Sequence, residues 1–344
     1  MEAFRDELVG PDASGLPDRF FDRFVFNLHP PAGTGLSVLL GLGVYPPADT
    51  VDGFAIVVTG GEQRNLRFST ELSRTDGLGA GPFRFRVEQR MRRWHLTLAA
   101  NPTGLELDVR WHARTAAWFG DVVVRGPDGT ATSSFEHLFQ SGRYEGTIRV
   151  DGEDQAVGGW YGQRDRSRGV RSLTGGQGLH IWFQAQFPDR SVGFLLVEDR
   201  AHRRLLLEGA VMHEDGTLDP VTDVRHDLEF DAGLDLRGGR WLVATASGAR
   251  YDIAADCGAG GGFMAGGGYG GHHGRPAGVD HVEYDVYPLD GSTTPGGLDS
   301  PLTDRLTAFD WGGTAGIGIL EFAHTRSRSY RYRASFDSAS VRPL

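Results

Sequence analysis

The stretch GQRDRSRGVR, residues 162–171, concentrates charged side chains near the middle of a chain of 344 residues. Arg164, Asp165 and Arg171 can form charge-assisted hydrogen bonds, because a guanidinium group can bind both oxygens of one carboxylate. Buried between two domains, such an ionic network would fix their relative orientation. Alternatively, Asp165 is a pocket acid. The neighbouring arginines would then keep it ionised, so its role would be electrostatic rather than that of a general acid.

A second candidate region is the glycine-rich segment GAGGGFMAGGGYGGHHGRPAG, which begins at Gly258. It contains a formal G-x-G-x-x-G pattern, but the HHGRPAG that follows does not start a helix able to hold a pyrophosphate. The segment is better interpreted as a flexible or closely packed loop at a barrel mouth. Phe263, Met264 and Tyr269 would then give the loop apolar contacts over a ligand.

Histidines and carboxylates follow this segment. His272, His273 and His281 lie near Asp280 and Glu283, but the spacing is not that of a recognised metal site, and we expect no metal. Proton transfer by a histidine is the stronger hypothesis, because histidine titrates near neutral pH. The candidate catalytic residues are therefore Asp165, His272, His273, Asp280 and Glu283.

The strand-like run HIWFQAQF, residues 180–187, has two contrasting faces. One face is apolar, whereas the other carries His180 and Trp182 beside two glutamines. The second face is typical of a barrel lumen that holds a lipophilic ligand, although a solvent-facing strand shows the same pattern. With the residues of the central motif and the glycine-rich region, the candidate ligand-binding residues are Trp160, Tyr161, Arg164, Arg171, His180, Trp182, Tyr269 and Tyr284.

Strands must position these groups, and alternation of apolar and polar residues indicates strands along most of the chain. In FRFRVEQ, for example, Phe83, Phe85 and Val87 share one face, as in an antiparallel strand that is wet on the other side. Similar runs cover residues 23–28, 37–45, 53–59, 179–187, 203–211, 240–245 and 317–324. This regular spacing predicts an all-β protein of antiparallel barrels or sandwiches.

A faint internal similarity indicates two related β domains. The segment RRWHLTLAANPTGLELDV begins at Arg92, and GRWLVATASGARYDIAAD begins at Gly239, nearly half the chain later. Each reads as an Arg-Trp that opens a strand, then a turn and a second alternating strand. Chance similarity between two hairpins is an equally good explanation of this pattern.

Composition excludes several classes of function. The net charge of -10 argues against a nucleic-acid partner, which would need a concentrated basic surface. All 35 basic positions are arginine, so the chain has no lysine for a Schiff base or for a phosphate loop. No apolar run is long enough to span a bilayer, so integral membrane association is not expected.

The cysteine content and the N-terminus bear on the compartment. Cys257 is the single cysteine and cannot form an internal disulfide, which fits a reducing environment. The N-terminal residues MEAFRDELVGPDASG are acidic where a signal peptide is basic and apolar. The expected location is the cytoplasm.

Several motifs resemble a known family. The pattern W-x-G-x-R-D-x-S-x-G-x-R, which runs from Trp160 to Arg171, is similar to that of the paired DUF7065 and DUF7064 bacterial proteins. Upstream, RFVFNLHPPAG, GLGVYPPADTVDGFAIV, GEQRNLRFS and RYEGTIRVDG also resemble that family, as does FMAGGGYGGHHG downstream. The resemblance covers most of the chain.

That family in turn resembles the superfamily of carotenoid 1,2-hydratase (CrtC) and AttH, which includes alkene hydratases and fungal Diels-Alder cyclases. The resemblance implies two consecutive lipocalin-like barrels, which we place at residues 15–155 and 156–338. Asp165, Arg166 and Ser167 are in register with an Asp-basic-x-Trp motif of the superfamily. Arg168 stands where that motif has tryptophan, so the local surface differs here.

Two functions are expected from the residues and the resemblance together. The first is a cofactor-independent hydratase, isomerase or cyclase that acts on a lipophilic isoprenoid-, steroid- or polyketide-like molecule, in one barrel or between both. The second is a carrier that binds the same kind of ligand without chemistry. Desolvated acids or histidines converging in a cavity would favour the enzyme, and a uniformly apolar cavity would favour the carrier.

Overall fold

The computed structural model describes residues 6–33, 35–125, 129–171 and 177–336. Within these ranges the chain forms twenty strands and short 3-10 helices at Pro46–Ala48, Leu72–Arg74 and Met264–Gly267. The predicted all-β class is confirmed. None of the helices in the described part of the chain is long and apolar enough to cross a membrane.

The first domain is a curled antiparallel sheet. In chain order its strands are Phe20–Leu28 (β1), Ser37–Tyr45 (β2), Thr50–Thr59 (β3), Glu62–Glu71 (β4), Gly79–Ala80 (β5), Phe83–Gln89 (β6), Arg93–Leu98 (β7), Leu105–Ala113 (β8), Trp118–Arg125 (β9), Ala131–Val150 (β10) and Glu153–Val170 (β11). The expected boundary at residues 155 and 156 falls inside β11, and both parts of this strand pair in the first sheet.

The second domain is a closed barrel of eight strands. These strands are Gln177–Gln186 (β12), Arg190–Asp199 (β13), Arg204–His213 (β14), Leu218–Phe230 (β15), Leu236–Thr245 (β16), Arg250–Phe263 (β17), Thr303–Trp311 (β19) and Thr314–His324 (β20). The remaining strand, His281–Pro288 (β18), leaves the barrel and pairs with β4 at the edge of the first sheet. The glycine-rich segment starts as part of β17 and leads towards this crossing.

Apolar side chains fill the barrel interior. Phe183 stacks on Phe194 with ring centroids 4.7 Å apart, and Trp241 and Phe309 pack against Phe183. The face of β12 that carries His180 and Trp182 points instead towards the first domain. The sequence left a barrel lumen and solvent as alternatives for this face, and both are wrong because the apolar face fills the lumen.

The interior of the first domain also contains charged groups. Arg164 is buried over the rings of Trp94 (4.9 Å) and Trp111 (5.7 Å), and its guanidinium is 3.3 Å from Asp6. Because side chains alternate along a strand, Asp165 points to the opposite face of β11. Arg164 therefore does not belong to the predicted network, whereas Asp165 and Arg171 line one cavity and attract each other.

Other contacts hold the two domains together. Phe139 of β10, Ala210 of β14 and Ile319 of β20 belong to one buried apolar cluster between the sheets. Beside it, Arg114 donates hydrogen bonds to the backbone oxygens of Phe187 (2.6 Å) and Arg190 (2.7 Å). Apolar burial and these hydrogen bonds help to fix the relative position of the two domains. The sequence had predicted this role for the central motif, of which Asp165 takes part through His137 and Glu208.

The internal similarity corresponds to equivalent hairpins. Trp94 opens the β7–β8 hairpin of the first domain, and Trp241 opens the β16–β17 hairpin of the barrel. Both tryptophans are completely buried, each in the apolar core of its own domain. The shared Arg-Trp pattern thus marks one packing position that occurs in both domains.

Candidate active site

A cavity of about 320 Å³ lies between the two domains. Strands β1, β9, β10 and β11 line it from the first domain, and strands of the barrel, including β12, β13, β19 and β20, line it from the other side. Much of the wall is apolar and includes Val122, Trp182, Leu195 and Val197. Titratable groups interrupt this wall at two places, so the cavity is not uniformly apolar.

One such place is a pair of carboxyl groups on neighbouring barrel strands. Asp304 of β19 and Glu321 of β20 are directly opposite each other in the antiparallel register, and both line the cavity. Asp304 is 2% exposed, and its Oδ1 has no hydrogen-bond partner in the described part of the chain. Burial raises the pKa of Asp304 well above its usual range, and the nearby carboxylates of Glu321 and Asp165 add to the effect. The surroundings of Asp304 therefore favour its protonated form.

His180 distinguishes Glu321 from Asp304. Its Nε2 lies 2.9 Å from Oε1 of Glu321, within hydrogen-bond distance. The imidazole thus contacts one carboxyl of the pair only. Two carboxyl groups in unequal surroundings can divide the roles of proton donor and proton acceptor.

The other place is a histidine between two carboxylates. Nε2 of His137 is 2.6 Å from Oδ2 of Asp165, and its Nδ1 hydrogen-bonds Glu208 of the barrel. Trp118 also donates its indole N–H to Glu208, at 2.8 Å. Burial alone would lower the pKa of His137, but the two carboxylates outweigh it and raise that pKa to about 10. Correspondingly, the imidazolium holds the pKa of Glu208 below its usual range despite burial.

Two arginines complete the polar wall. Arg23 of β1 is buried, donates a hydrogen bond to the hydroxyl of Tyr45 and lies over the ring of Tyr269 at 5.2 Å. Arg171 follows β11 and lies over the ring of Phe135 at 4.5 Å. Both arginines and Tyr269 line the cavity.

The structure brings several predicted site residues together here. Those that line the interdomain cavity are Asp165, Arg171, His180, Trp182 and Tyr269. They come from both domains and from the glycine-rich segment, so the predicted interdomain position fits them better than the lumen of either barrel.

Three other predicted residues line a second cavity of about 210 Å³, namely His272, His273 and Glu283. Nδ1 of His273 is 3.3 Å from Asp52, and burial lowers the pKa of this histidine, so it is neutral near pH 7. Glu283 accepts hydrogen bonds from His281 (3.0 Å) and Arg67 (3.1 Å). Nε2 of His273 has no hydrogen-bond partner among the described residues, and these groups line a different cavity from Asp165.

The remaining predicted residues line neither cavity. Trp160 and Arg164 are buried in the first domain, and Tyr161 packs against the guanidinium groups of two arginines on its surface. Asp280 is exposed, and Tyr284 is 42% exposed on β18. Their placement removes the geometric basis for the predicted contacts with a ligand in either cavity.

Sequence reasoning missed Asp304, Glu321 and His137. In GIGILEF, Glu321 continues a face formed by Ile317 and Ile319, and both isoleucines belong to the interdomain apolar cluster. Likewise, Asp304 lies on the same strand face as Leu306, which belongs to that cluster. An acid at the end of an apolar face was the signal available for both residues. Among the described residues, no group of three or more His, Cys, Asp or Glu side chains is placed to hold a metal ion.

Comparison with known proteins identifies the family. The chain belongs to DUF8625, a family of unknown function, whose family model matches residues 12–329. This is not the DUF7065 and DUF7064 pair that the motifs resemble. A search of curated proteins found no significant match.

Comparison with solved structures bears on the fold. An AttH-type protein from Nitrosomonas europaea has a TM-score of 0.58 and 12% identity, with 92% of this chain and 97% of that chain covered. Kievitone hydratase from Nectria haematococca has a TM-score of 0.52 and 12% identity, with 92% and 93% covered. CghA with Sch210972 has a TM-score of 0.48 and 9% identity, with 93% and 94% covered. At these identities the first two show a shared fold.

Proposed function

We propose that this member of DUF8625 is a cofactor-independent enzyme that protonates a double bond of a lipophilic small molecule in the interdomain cavity. The proposal depends above all on Asp304, a buried carboxyl group whose pKa is raised beside Glu321. Catalysis by a general acid requires a donor that is protonated at working pH and adjacent to the substrate. The raised pKa of Asp304 favours the first condition, and its position in the cavity wall supports the second.

The proposed step transfers the proton of Asp304 to one carbon of the double bond. The π electron pair forms the new C–H bond, Asp304 becomes a carboxylate, and the other carbon becomes electron-deficient. Asp165 and Glu321 line the same cavity and would stabilise this positive charge electrostatically. Burial opposes the charged form of Asp304, which favours its recovery of a proton afterwards.

The fate of the cationic carbon decides the reaction. Addition of water through its oxygen, with loss of a proton to Glu321, would give hydration. Loss of a neighbouring C–H proton would give an isomer, and attack by a second double bond would close a ring. Hydration is the first reaction to test, because the kievitone hydratase of similar fold bears that name. Isoprenoid, steroid and polyketide-like alkenes are the proposed substrates.

The alternative function is carriage of the same ligands without turnover. The apolar wall of Trp182, Leu195 and Val197 would serve a carrier equally well. A carrier, however, gains nothing from a desolvated acid, since burying a carboxyl with one oxygen left without a hydrogen bond costs free energy. The two functions therefore differ in whether Asp304 exchanges its proton with the bound molecule.

Deuterium incorporation tests this difference. We would incubate the protein in D₂O with linear isoprenoids, steroids and polyenes, and detect new C–D bonds by mass spectrometry. Hydration and isomerisation both incorporate deuterium at the protonated carbon. Replacing Asp304 by Asn should reduce the rate by about 100-fold or more, because a positioned general acid contributes at least that factor.

Asp310→Asn is the matched control, because Asp310 lies on the same strand but is exposed. It should retain the full rate. Compounds that bind to the wild-type protein without gaining deuterium would support carriage. Full turnover by the Asp304→Asn variant would overturn the proposed role of Asp304.

A further inference from the structure

We propose that the natural ligand carries an anionic oxygen group of the carboxylate type, which binds between Arg23 and Arg171. This inference rests on the proposed function and adds the chemical class of its substrate. It comes from the two guanidinium groups in the cavity wall, and not from the acids that would do the chemistry.

Arg23 is a buried cation without an ion pair among the described residues. It is 8% exposed, and the buried carboxylate of Asp52 attracts it from beyond ion-pair distance. Its guanidinium donates to the neutral hydroxyl of Tyr45, while its Nε has no hydrogen-bond partner within the described ranges. Arginine keeps its proton in proteins, so the charge persists. A charge buried in this way is costly unless a counter-ion is supplied.

Arg171 places a second cation beside the first. Both guanidinium groups lie over the ring of Phe21, at 5.2 Å for Arg171 and 5.9 Å for Arg23. The aromatic faces attract the cations but do not neutralise them. Two like charges held over one ring repel each other, and an anion between them would relieve that repulsion.

The neighbouring carboxylates are engaged elsewhere. Asp165 is 2.6 Å from His137, and Glu321 is 2.9 Å from His180. Asp52 accepts the backbone N–H of Gly274 at 2.7 Å. None of the three forms an ion pair with Arg23 or Arg171 within the described ranges, so both guanidinium groups can still bind a ligand anion.

The surroundings specify the rest of the ligand. Planar guanidinium groups match the two oxygens of a carboxylate, and Trp182, Leu195 and Val197 offer an apolar wall for a hydrocarbon body. A volume of about 320 Å³ is small for a ligand site. The ligand class is therefore a compact lipophilic acid.

Decanoate and decanol form a matched pair of probes with the same chain and different charge. We expect the wild-type protein to bind decanoate at least about tenfold more tightly than decanol by calorimetry at pH 7. Arg171→Gln should weaken decanoate about tenfold and leave decanol unchanged. Arg204→Gln is the control, since Arg204 is an exposed arginine paired with Asp223. It should change neither affinity.

Equal affinity of the wild-type protein for the two probes would overturn the inference, as would an Arg171→Gln variant that weakens both equally or neither. Asp304→Asn separates this result from the proposed function. It should bind decanoate as the wild type does, because the acid is not part of the anion site. Loss of deuterium incorporation in Asp304→Asn without charge discrimination between the probes would leave the function standing and the anion site refuted.

Discussion

Two clusters of acids and histidine face the same cavity but hold their protons differently. In the first, His137 lies between Asp165 and Glu208, so one imidazolium contacts two carboxylates. In the second, Asp304 and Glu321 are opposite each other, and His180 contacts Glu321 alone. The first cluster joins the two domains, since Glu208 belongs to the barrel and the other two residues do not.

The comparison shows that the order of the groups decides their chemistry. Two carboxylates raise the pKa of an imidazole between them, so it stays protonated near neutral pH and stabilises both anions. A carboxyl beside another carboxyl, away from the imidazole, keeps its proton instead. We therefore interpret the first cluster as a structural link and the second as the acid of a reaction.

Removing the central cation should have the largest effect. His137→Gln leaves the partly buried Asp165 and the buried Glu208 near each other without a counter-ion. We expect the free energy of unfolding at pH 7 to fall by about 3–5 kcal/mol, as when one partner of a buried ion pair is removed. Urea unfolding measures the change. His112→Gln, which breaks a surface pair with Glu145, should cost only about 0.5 kcal/mol or less.

The pH dependence of this loss follows from the raised pKa of His137. The folded state raises that pKa from 6.5 to about 10, so the stabilisation is complete below about pH 6.5 and is lost as the pH rises towards 10. The difference between the wild type and His137→Gln should therefore shrink over that range. A difference that stays constant up to pH 10 would contradict the imidazolium assignment.

The contribution of the second cluster should depend on pH in the same direction, but here the substitution should stabilise the protein at alkaline pH. Because the folded state raises the pKa of Asp304, its stabilising effect is complete at low pH and is lost as the pH rises through that raised pKa. Asp304→Asn cannot ionise, so it should be more stable than the wild type on the alkaline side, by about 1 kcal/mol or more. Thermal unfolding at a series of pH values measures the gain. A variant that is less stable than the wild type at alkaline pH would argue against a protonated Asp304.

Replacing Glu321 should have the smallest effect, which is a change in the pKa of Asp304. Glu321→Gln removes a negative charge that helps to raise the pKa of Asp304, so that pKa should fall while burial keeps it above the ordinary value. Infrared titration of the Asp304 carbonyl band measures the shift. Ser167→Ala, which alters the same cavity without a charge, should leave the midpoint in place.

Local pattern was enough to predict most of the fold. The predicted runs 23–28, 37–45 and 53–59 lie in β1, β2 and β3. These strands are buried on both faces, so short apolar runs were enough to indicate them. Trp94 and Trp241 were also correctly singled out as equivalent. The return of β18 to the first sheet was missed, since pairing between distant strands leaves no local signal.

The candidate site was harder to predict because it depends on which strands meet. Asp165, His180 and Trp182 were recognised from their own segments and do face the cavity. Asp304 and Glu321 acquire their properties only from the register of β19 with β20 and from burial under the first domain. Arg164 was assigned to the wrong partner because charge clustering in sequence ignores the alternation of strand faces.

The infrared spectrum at neutral pH tests the central claim most directly, because a protonated carboxylic acid has a carbonyl band that a carboxylate lacks. The difference spectrum between the wild type and Asp304→Asn at pH 7 should contain this band, and it should disappear from the wild type at alkaline pH. A difference spectrum at pH 7 that shows only carboxylate bands would mean that Asp304 is ionised, and the proposed acid would be refuted.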